Sequence, residues 1–194
     1  MSRENTETQK KILKATVKSL TDSGGAGVRM SDIAKAAGVS RQAVYLHFAS
    51  RTELLVAATR FMDEELNLEK RLEFVRSAET AEERLTRYVH FWGEYIPGIY
   101  GIAKALMVAR HTDEAANAAW DDRMSALKSG CRSVVRGLKE EDKLKSEWTE
   151  DTATEAFWSL LLIPVWENLT LKCGWTSELY QSRMTLMVST NFVK

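Results

Sequence analysis

Apolar residues recur at three- and four-residue spacing along almost the whole chain, and β-branched runs alternating with period two are absent. The pattern predicts an all-α protein. Ile12, Leu13, Thr16, Val17 and Leu20 make the buried stripe of a first helix. Its start is expected at Thr6, where Thr6-Glu7-Thr8-Gln9 has the form of a capping box, and its end at Gly24-Gly25. A second helix is predicted from Met30 or Ser31 to Ala37, and a third from just after Ser40 to near Phe48. Ser50-Arg51-Thr52-Glu53 is a second capping box, and the helix it opens carries Leu54, Leu55, Ala58, Phe61, Met62 and Leu66.

Later segments are longer and more apolar. Leu85, Tyr88, Val89, Trp92, Tyr95 and Ile96 share one face of a helix that Pro97-Gly98 is expected to end. Residues 99–110 are apolar nearly all round and are predicted to be buried. Trp120, Met124, Leu127, Cys131, Val134, Val135 and Leu138 form the next stripe, followed by a charged connection over residues 138–148. Two final helices are expected at about 150–172 and 176–191, joined around Gly174, with Pro164 kinking the first of them.

The segment MSDIAKAAGVSRQAVYLHF, residues 30–48, is the most informative. Ile33, Ala34 and Ala37 give a short helix a small, close-packing inner face. Gly38 permits a sharp turn, Val39 plugs that turn into the core, and Ser40 caps a helix whose Val44 and Phe48 point inward. Two helices joined by so short a turn place the second in a DNA major groove. Its outer side carries Arg41 and Gln42, which can pair bidentately with guanine and adenine edges. Tyr45, His47 and Arg51 suit phosphate oxygens.

Charge supports that placement. The net charge is zero, but residues 1–51 hold nine Lys/Arg against four Asp/Glu, and the rest holds 18 against 23. A +5 end on a −5 body suits contact with a polyanion at that end. No apolar run reaches the length of a membrane span; the longest, residues 157–166, is too short and contains Pro164. The N-terminus MSRENTETQKK lacks the apolar stretch of a signal peptide, and Cys131 and Cys173 have no CxxC spacing. A cytoplasmic protein with reduced thiols is expected.

The run DIAKAAGVSRQAVYLHFASRTELL resembles the signature of TetR-family (tetracycline-repressor-type) regulators: D-I-A, A-G-V-S, Y-x-H-F, then a serine and a basic residue before a leucine-rich helix. The resemblance covers about residues 8–62. It implies a three-helix helix-turn-helix DNA-binding domain over residues 1–50 and a larger helical ligand-binding and dimerisation domain over residues 51–194. It also implies a homodimeric repressor released from a pseudo-palindromic operator by a small inducer. Carried over by position, the DNA surface comprises Ser31, Ser40, Arg41, Gln42, Tyr45, His47 and Arg51. Many members have lysine where this chain has Arg51, which keeps the phosphate role.

All six tryptophans lie after residue 90. Aromatics dominate cores, so ordinary packing accounts for any one of them. As a group, Trp92, Tyr95, Tyr100, Met107, Trp120 and Met124 are candidates for an apolar inducer pocket, with Glu94, His111 or Glu167 as polar hooks. His90 falls on the polar side of its helix. Towards the C-terminus, Ala153, Ala156, Phe157, Leu160, Leu161 and Pro164 form one stripe, and Trp158, Leu162, Val165, Trp166 and Leu169 a second. A helix apolar on two sides needs two partners. With Met184 and Met187 of the last helix, Phe157, Trp158, Leu161 and Leu162 are therefore candidates for a dimer interface, whichever face serves. No catalytic set, metal cluster or cofactor-binding motif is found, so neither metal nor cofactor is expected. Two other classes stay open at this level: a helical enzyme, and a DNA-binding module without a ligand.

Overall fold

The computed structural model describes residues 3–25 and 28–194, with side chains from Asn5 onward. Every regular element among them is a helix, and the single β contact is an isolated antiparallel bridge between Leu144 and Val193. In order these are α1 (Arg3–Asp22), α2 (Met30–Ala37), α3 (Arg41–His47), α4 (Arg51–Glu65), α5 (Leu68–Arg76) and α6 (Ala81–Ala109). Then come α7 (Glu114–Glu140), α8 (Glu150–Leu160), α9 (Ile163–Glu167), a π-helical turn (Asn168–Lys172) and α10 (Ser177–Phe192). The chain divides into two compact units, one of Met1–Leu66 with Gly98–Asp122, the other of Asn67–Pro97 with Arg123–Lys194.

In the first unit α1 packs against α2 and α4, and α2 against α3. Ile12, Leu20, Ile33, Ala34, Val44, Phe48, Leu54, Leu55 and Ala58 form its core. Arg3 already lies in α1, so Thr6 is an internal residue and not the N-cap expected for it. A capping box is a local preference that a helix can override, and here the helix begins upstream of it. The later residues of this unit press on α1 directly. A Cβ on Gly101 would stand 2.6 Å from the Leu20 carbonyl oxygen, so only glycine lets the helix backbones approach so closely. Thr52, in the first turn of α4, donates its hydroxyl to the Asp113 carboxylate at 2.5 Å. The other carboxylate oxygen accepts the Ala116 N–H at 3.0 Å at the start of α7.

The second unit is built on a ladder of rings. Trp92 and Tyr95 lie 6.2 Å apart, Tyr95 and Phe91 5.4 Å, Phe91 and Tyr88 5.8 Å, and Tyr88 and Phe157 6.0 Å. Phe157 then meets Phe192 at 6.2 Å, and Phe192 meets Trp148 at 4.9 Å. The segment predicted as a charged connection is tied down at its centre and its end. The Lys145 N–H donates to the Phe192 carbonyl at 2.9 Å and the Trp148 indole N–H to the Asn191 carbonyl at 2.8 Å.

Two expectations about proline separate here. Pro97-Gly98 does not end a helix, because α6 continues through both to Ala109. Pro97 is exposed, leaving its ring room, while Tyr95 and Ile96 before it and Ile102, Ala105 and Leu106 after it are buried. That apolar burial outweighs one lost backbone hydrogen bond. Pro164 does more than kink its helix. Leu162 takes an extended conformation and caps a new helix with proline in its first turn, so the expected 150–172 helix is divided into α8, α9 and the π-helical turn. Residues 99–110 are buried on one face only, at 101–103, 105 and 106; the others are half-buried and Val108 is exposed, so the stretch is not buried all round as expected.

Gly101→Ala is expected to destabilise the protein by about 1–3 kcal/mol, because the new methyl meets backbone that must move. Urea denaturation checks this, and unchanged stability would mean that α1 shifts aside without cost. The Asp113 carboxyl is held below its ordinary pKa, first by the Thr52 hydroxyl and then by the Ala116 N–H. Its contribution is therefore present above the unfolded carboxylate pKa near pH 4 and lost as pH falls through the lower folded value. Thr52→Val should flatten the pH 3 to pH 6 stability slope; an unaltered slope would remove Asp113 from that role.

Candidate nucleic-acid interface

The helix-turn-helix is set by short-range rules. Gly38 sits at φ 67°, in the left-handed region, and closes α2 through N–H bonds to its last carbonyls. Asp32 accepts the Arg29 N–H at 3.2 Å at the other end of that helix. The Ser40 hydroxyl accepts the Ala43 N–H at 3.0 Å and so caps α3. The Ser50 hydroxyl accepts the Glu53 N–H at 3.0 Å, and the Glu53 carboxylate reaches back to the Ala49 N–H at 2.7 Å, a capping box displaced by one residue.

These caps orient α3 so that Val44 and Phe48 are buried while Arg41, Gln42 and Tyr45 are exposed. The Arg41 guanidinium lies 5.4 Å from the Tyr45 ring centroid, which keeps both on one side of the helix. Ser31 and Ser40 are also exposed, and His47 is half-buried beside Phe48. Arg51 is half-buried, and its Nε donates to the Val28 carbonyl at 3.3 Å, fixing the stem of a side chain that starts α4. All seven residues read from the sequence thus fall in or beside the α2–α4 turns, with Arg41, Gln42 and Tyr45 forming the outward face.

Sequence reasoning passed over Leu46. It is 80% exposed against 41% for Tyr45, the most exposed large apolar side chain among the described residues of the chain. The signal was available: with Val44 and Phe48 inward, position 46 must face out, where a leucine has no core to fill. On a DNA-facing helix an apolar side chain fits a thymine methyl. No acidic residue lies in the first turn of α3, so nothing there repels phosphate.

The residues taken for an inducer pocket are divided. Trp92, Tyr95 and Met124 lie in the second unit, Tyr100, Met107 and Trp120 in the first. Trp92 and Tyr95 are brought together and Trp120 is stacked under Arg110 at 5.2 Å. Of the polar hooks, Glu94 is paired with Arg71 at 3.0 Å and His111 is exposed. Two buried polar atoms of the second unit, Trp92 Nε1 and the Tyr180 hydroxyl oxygen, lie near each other without a hydrogen bond of ordinary geometry and have no other partner. Burial pushes the Tyr180 hydroxyl pKa well up, and the neighbouring Trp92 indole only partly opposes this.

The dimer candidates are narrowed by burial. Phe157, Leu161 and Met184 are fully buried within the chain and serve its core, so they offer no surface to a second copy. Trp158, Leu162 and Met187 keep exposed surface, near exposed Leu179 and Leu186 in sequence. No helix among the described residues is long and apolar enough to cross a membrane.

Residues 12–58 match the family model for bacterial regulatory proteins of the tetR family. Over 60 residues the chain is 42% identical to the HTH-type transcriptional regulator CymR of Pseudomonas putida, a match that covers 31% of this chain and 30% of that protein. The whole fold resembles a transcriptional regulator from Saccharomonospora viridis solved in complex with choline, at TM-score 0.83 and 18% identity, covering 97% of this chain and 99% of the other. It also resembles the regulator FadR of Bacillus subtilis in complex with stearoyl-CoA, at TM-score 0.74 and 15% identity, covering 93% and 97%.

Ser40→Ala should cost about 1 kcal/mol in urea denaturation through loss of the α3 cap. A variant as stable as the parent would show that packing alone holds α3.

Proposed function

We propose, from the match of residues 12–58 to the family model for bacterial regulatory proteins of the tetR family, that the chain is a ligand-responsive repressor that binds a pseudo-palindromic operator as a homodimer. The observation that carries this reading is the outward face of α3, where Arg41, Gln42, Tyr45 and Leu46 stand on a helix anchored by Val44 and Phe48. Arg41 and Gln42 read base edges; Ser31, Ser40, Tyr45, His47 and Arg51 meet the backbone. Two-fold related copies of α3 then address half-sites about 34–36 Å apart or a multiple of that.

A division of labour at residue 50/51 goes with this, DNA to one side and ligand and dimerisation to the other. Trp158, Leu162 and Met187, with exposed Leu179 and Leu186, supply the apolar surface for the second copy. The Trp158 indole N–H is itself buried and makes no hydrogen bond within the chain, so it is the ring's exposed edge that serves this surface. Trp92, Tyr95 and the unsatisfied Tyr180 hydroxyl mark an apolar interior where a small ligand's polar group finds a partner. Similar folds hold choline in one regulator and stearoyl-CoA in another, so the fold alone does not choose the ligand. The ligand shifts DNA affinity only as far as it prefers one dimer shape, with α4 passing on the change. No catalytic role is proposed, and the free thiols of Cys131 and Cys173 suit the cytoplasm.

The test is a gel-shift against the upstream intergenic DNA and a genomic fragment library, with random competitor and varied salt. Sequence-specific binding is expected, and failure on both DNA sources sinks the repressor reading. Arg41→Ala or Gln42→Ala should cost about 1–3 kcal/mol and relax base preference, whereas Arg51→Ala should weaken all sequences alike and lower the salt slope. Equal, sequence-blind losses from all three would place base readout elsewhere. Leu162→Glu should give monomers in sedimentation analysis; an unchanged dimer would move the interface off that residue.

A further inference from the structure

Within the second unit, α5 and the first half of α6 enclose an open groove of about 610 Å³. That lies within the ~300–1,000 Å³ usual for small-molecule sites. Its floor is Phe91, buried and stacked on Tyr95 at 5.4 Å. Its wall is Phe74, which is 61% exposed, a large apolar ring left facing water.

The wall is fixed in place. The Arg87 guanidinium lies 4.1 Å from the Phe74 ring centroid. Its NH1 donates to the Phe74 carbonyl at 2.6 Å and to the Ser77 hydroxyl at 3.1 Å, while NH2 donates to the Glu83 carboxylate at 2.7 Å. Around this apolar slot stand Lys70, Arg71 and Arg87 against a single lining carboxylate, Glu94. That carboxylate is already engaged by Arg71 at 3.0 Å. An apolar slot with a cationic rim complements an anion that has an apolar body, and disfavours a cation.

We propose that this groove is a binding site for a small carboxylate with an aromatic or acyl body, its ring or chain lying against Phe74 and Phe91 and its carboxylate meeting Lys70 and the Arg71 side of the rim. The groove lies within the second unit, and binding there is measured without DNA, so it stands or falls apart from the repressor reading. The groove is open to solvent, and its charge pairs are screened by salt accordingly.

Isothermal titration of the full chain at low salt tests the assignment, with sodium 4-phenylbutyrate as probe. Neutral 4-phenylbutan-1-ol and cationic 4-phenylbutyltrimethylammonium serve as matched controls. Saturable binding of one phenylbutyrate per chain is expected, with weaker alcohol binding and none of the cation. Lys70→Glu should weaken the carboxylate several-fold. Glu94→Gln removes the one lining carboxylate, so it should tighten binding. Circular dichroism and melting of both surface variants check that the fold persists. Absence of binding, equal binding of the alcohol, preference for the cation, or indifference to both substitutions each overturns the proposal. Loss of binding in Trp92→Ala with none in Lys70→Glu would place the ligand in the interior and overturn it likewise.

Discussion

The burial of Val44 and Phe48 is the constraint on which the DNA-facing surface depends. The helix that carries them, α3, has only seven residues, far below the length at which an isolated helix holds together in water. It exists because one of its edges is locked into the core shared with α1, α2 and α4, and because Ser40 and the Gly38 turn fix where it starts. With two side chains held inside, the remaining positions have no freedom to choose. Arg41, Gln42, Tyr45 and Leu46 face out as a consequence of packing, and base-reading chemistry is available there because the helix cannot roll.

A similar economy governs the rest of the first unit. Gly101 brings a backbone to within a Cβ's width of the Leu20 carbonyl, and Thr52 joins the start of α4 to the start of α7 through Asp113. Both contacts tie residues distant in sequence to helices of the DNA-facing head. Neither involves a large side chain. Each depends on a group being small or short enough to let backbone or helix ends meet, which is why overpacking at Gly101 is costly.

In the second unit aromatic residues do two kinds of work. Most of them form the ring ladder from Trp92 to Trp148, where they are core. Phe74 stands apart, held outward by Arg87 over a groove instead of being drawn into the ladder. The unsatisfied Trp92 and Tyr180 atoms mark a second place where packing is complete but hydrogen bonding is not. Buried polar groups without partners are uncommon, and each one points to something that packing by itself did not resolve.

The sequence by itself determined the helical class, the turns around Gly38, Ser40 and Ser50, and which side of α3 carries polar residues. These are local properties: helical periodicity, left-handed turns and side-chain caps act within a few residues and are written there. It also carried the Leu46 signal, which needed only the period of the helix to be read. What the tertiary structure decided were the contests between distant terms. Pro97 passes through α6 because burial on both sides outweighs a missing backbone bond, whereas Pro164 breaks its helix because Leu162 turns extended ahead of it. Phe157, Leu161 and Met184 look the same in sequence as Trp158, Leu162 and Met187, and only the packing of other helices sorts core from surface. The groove over Phe74 belongs to this second kind. Its floor, wall and rim come from two helices whose alignment no local pattern specifies.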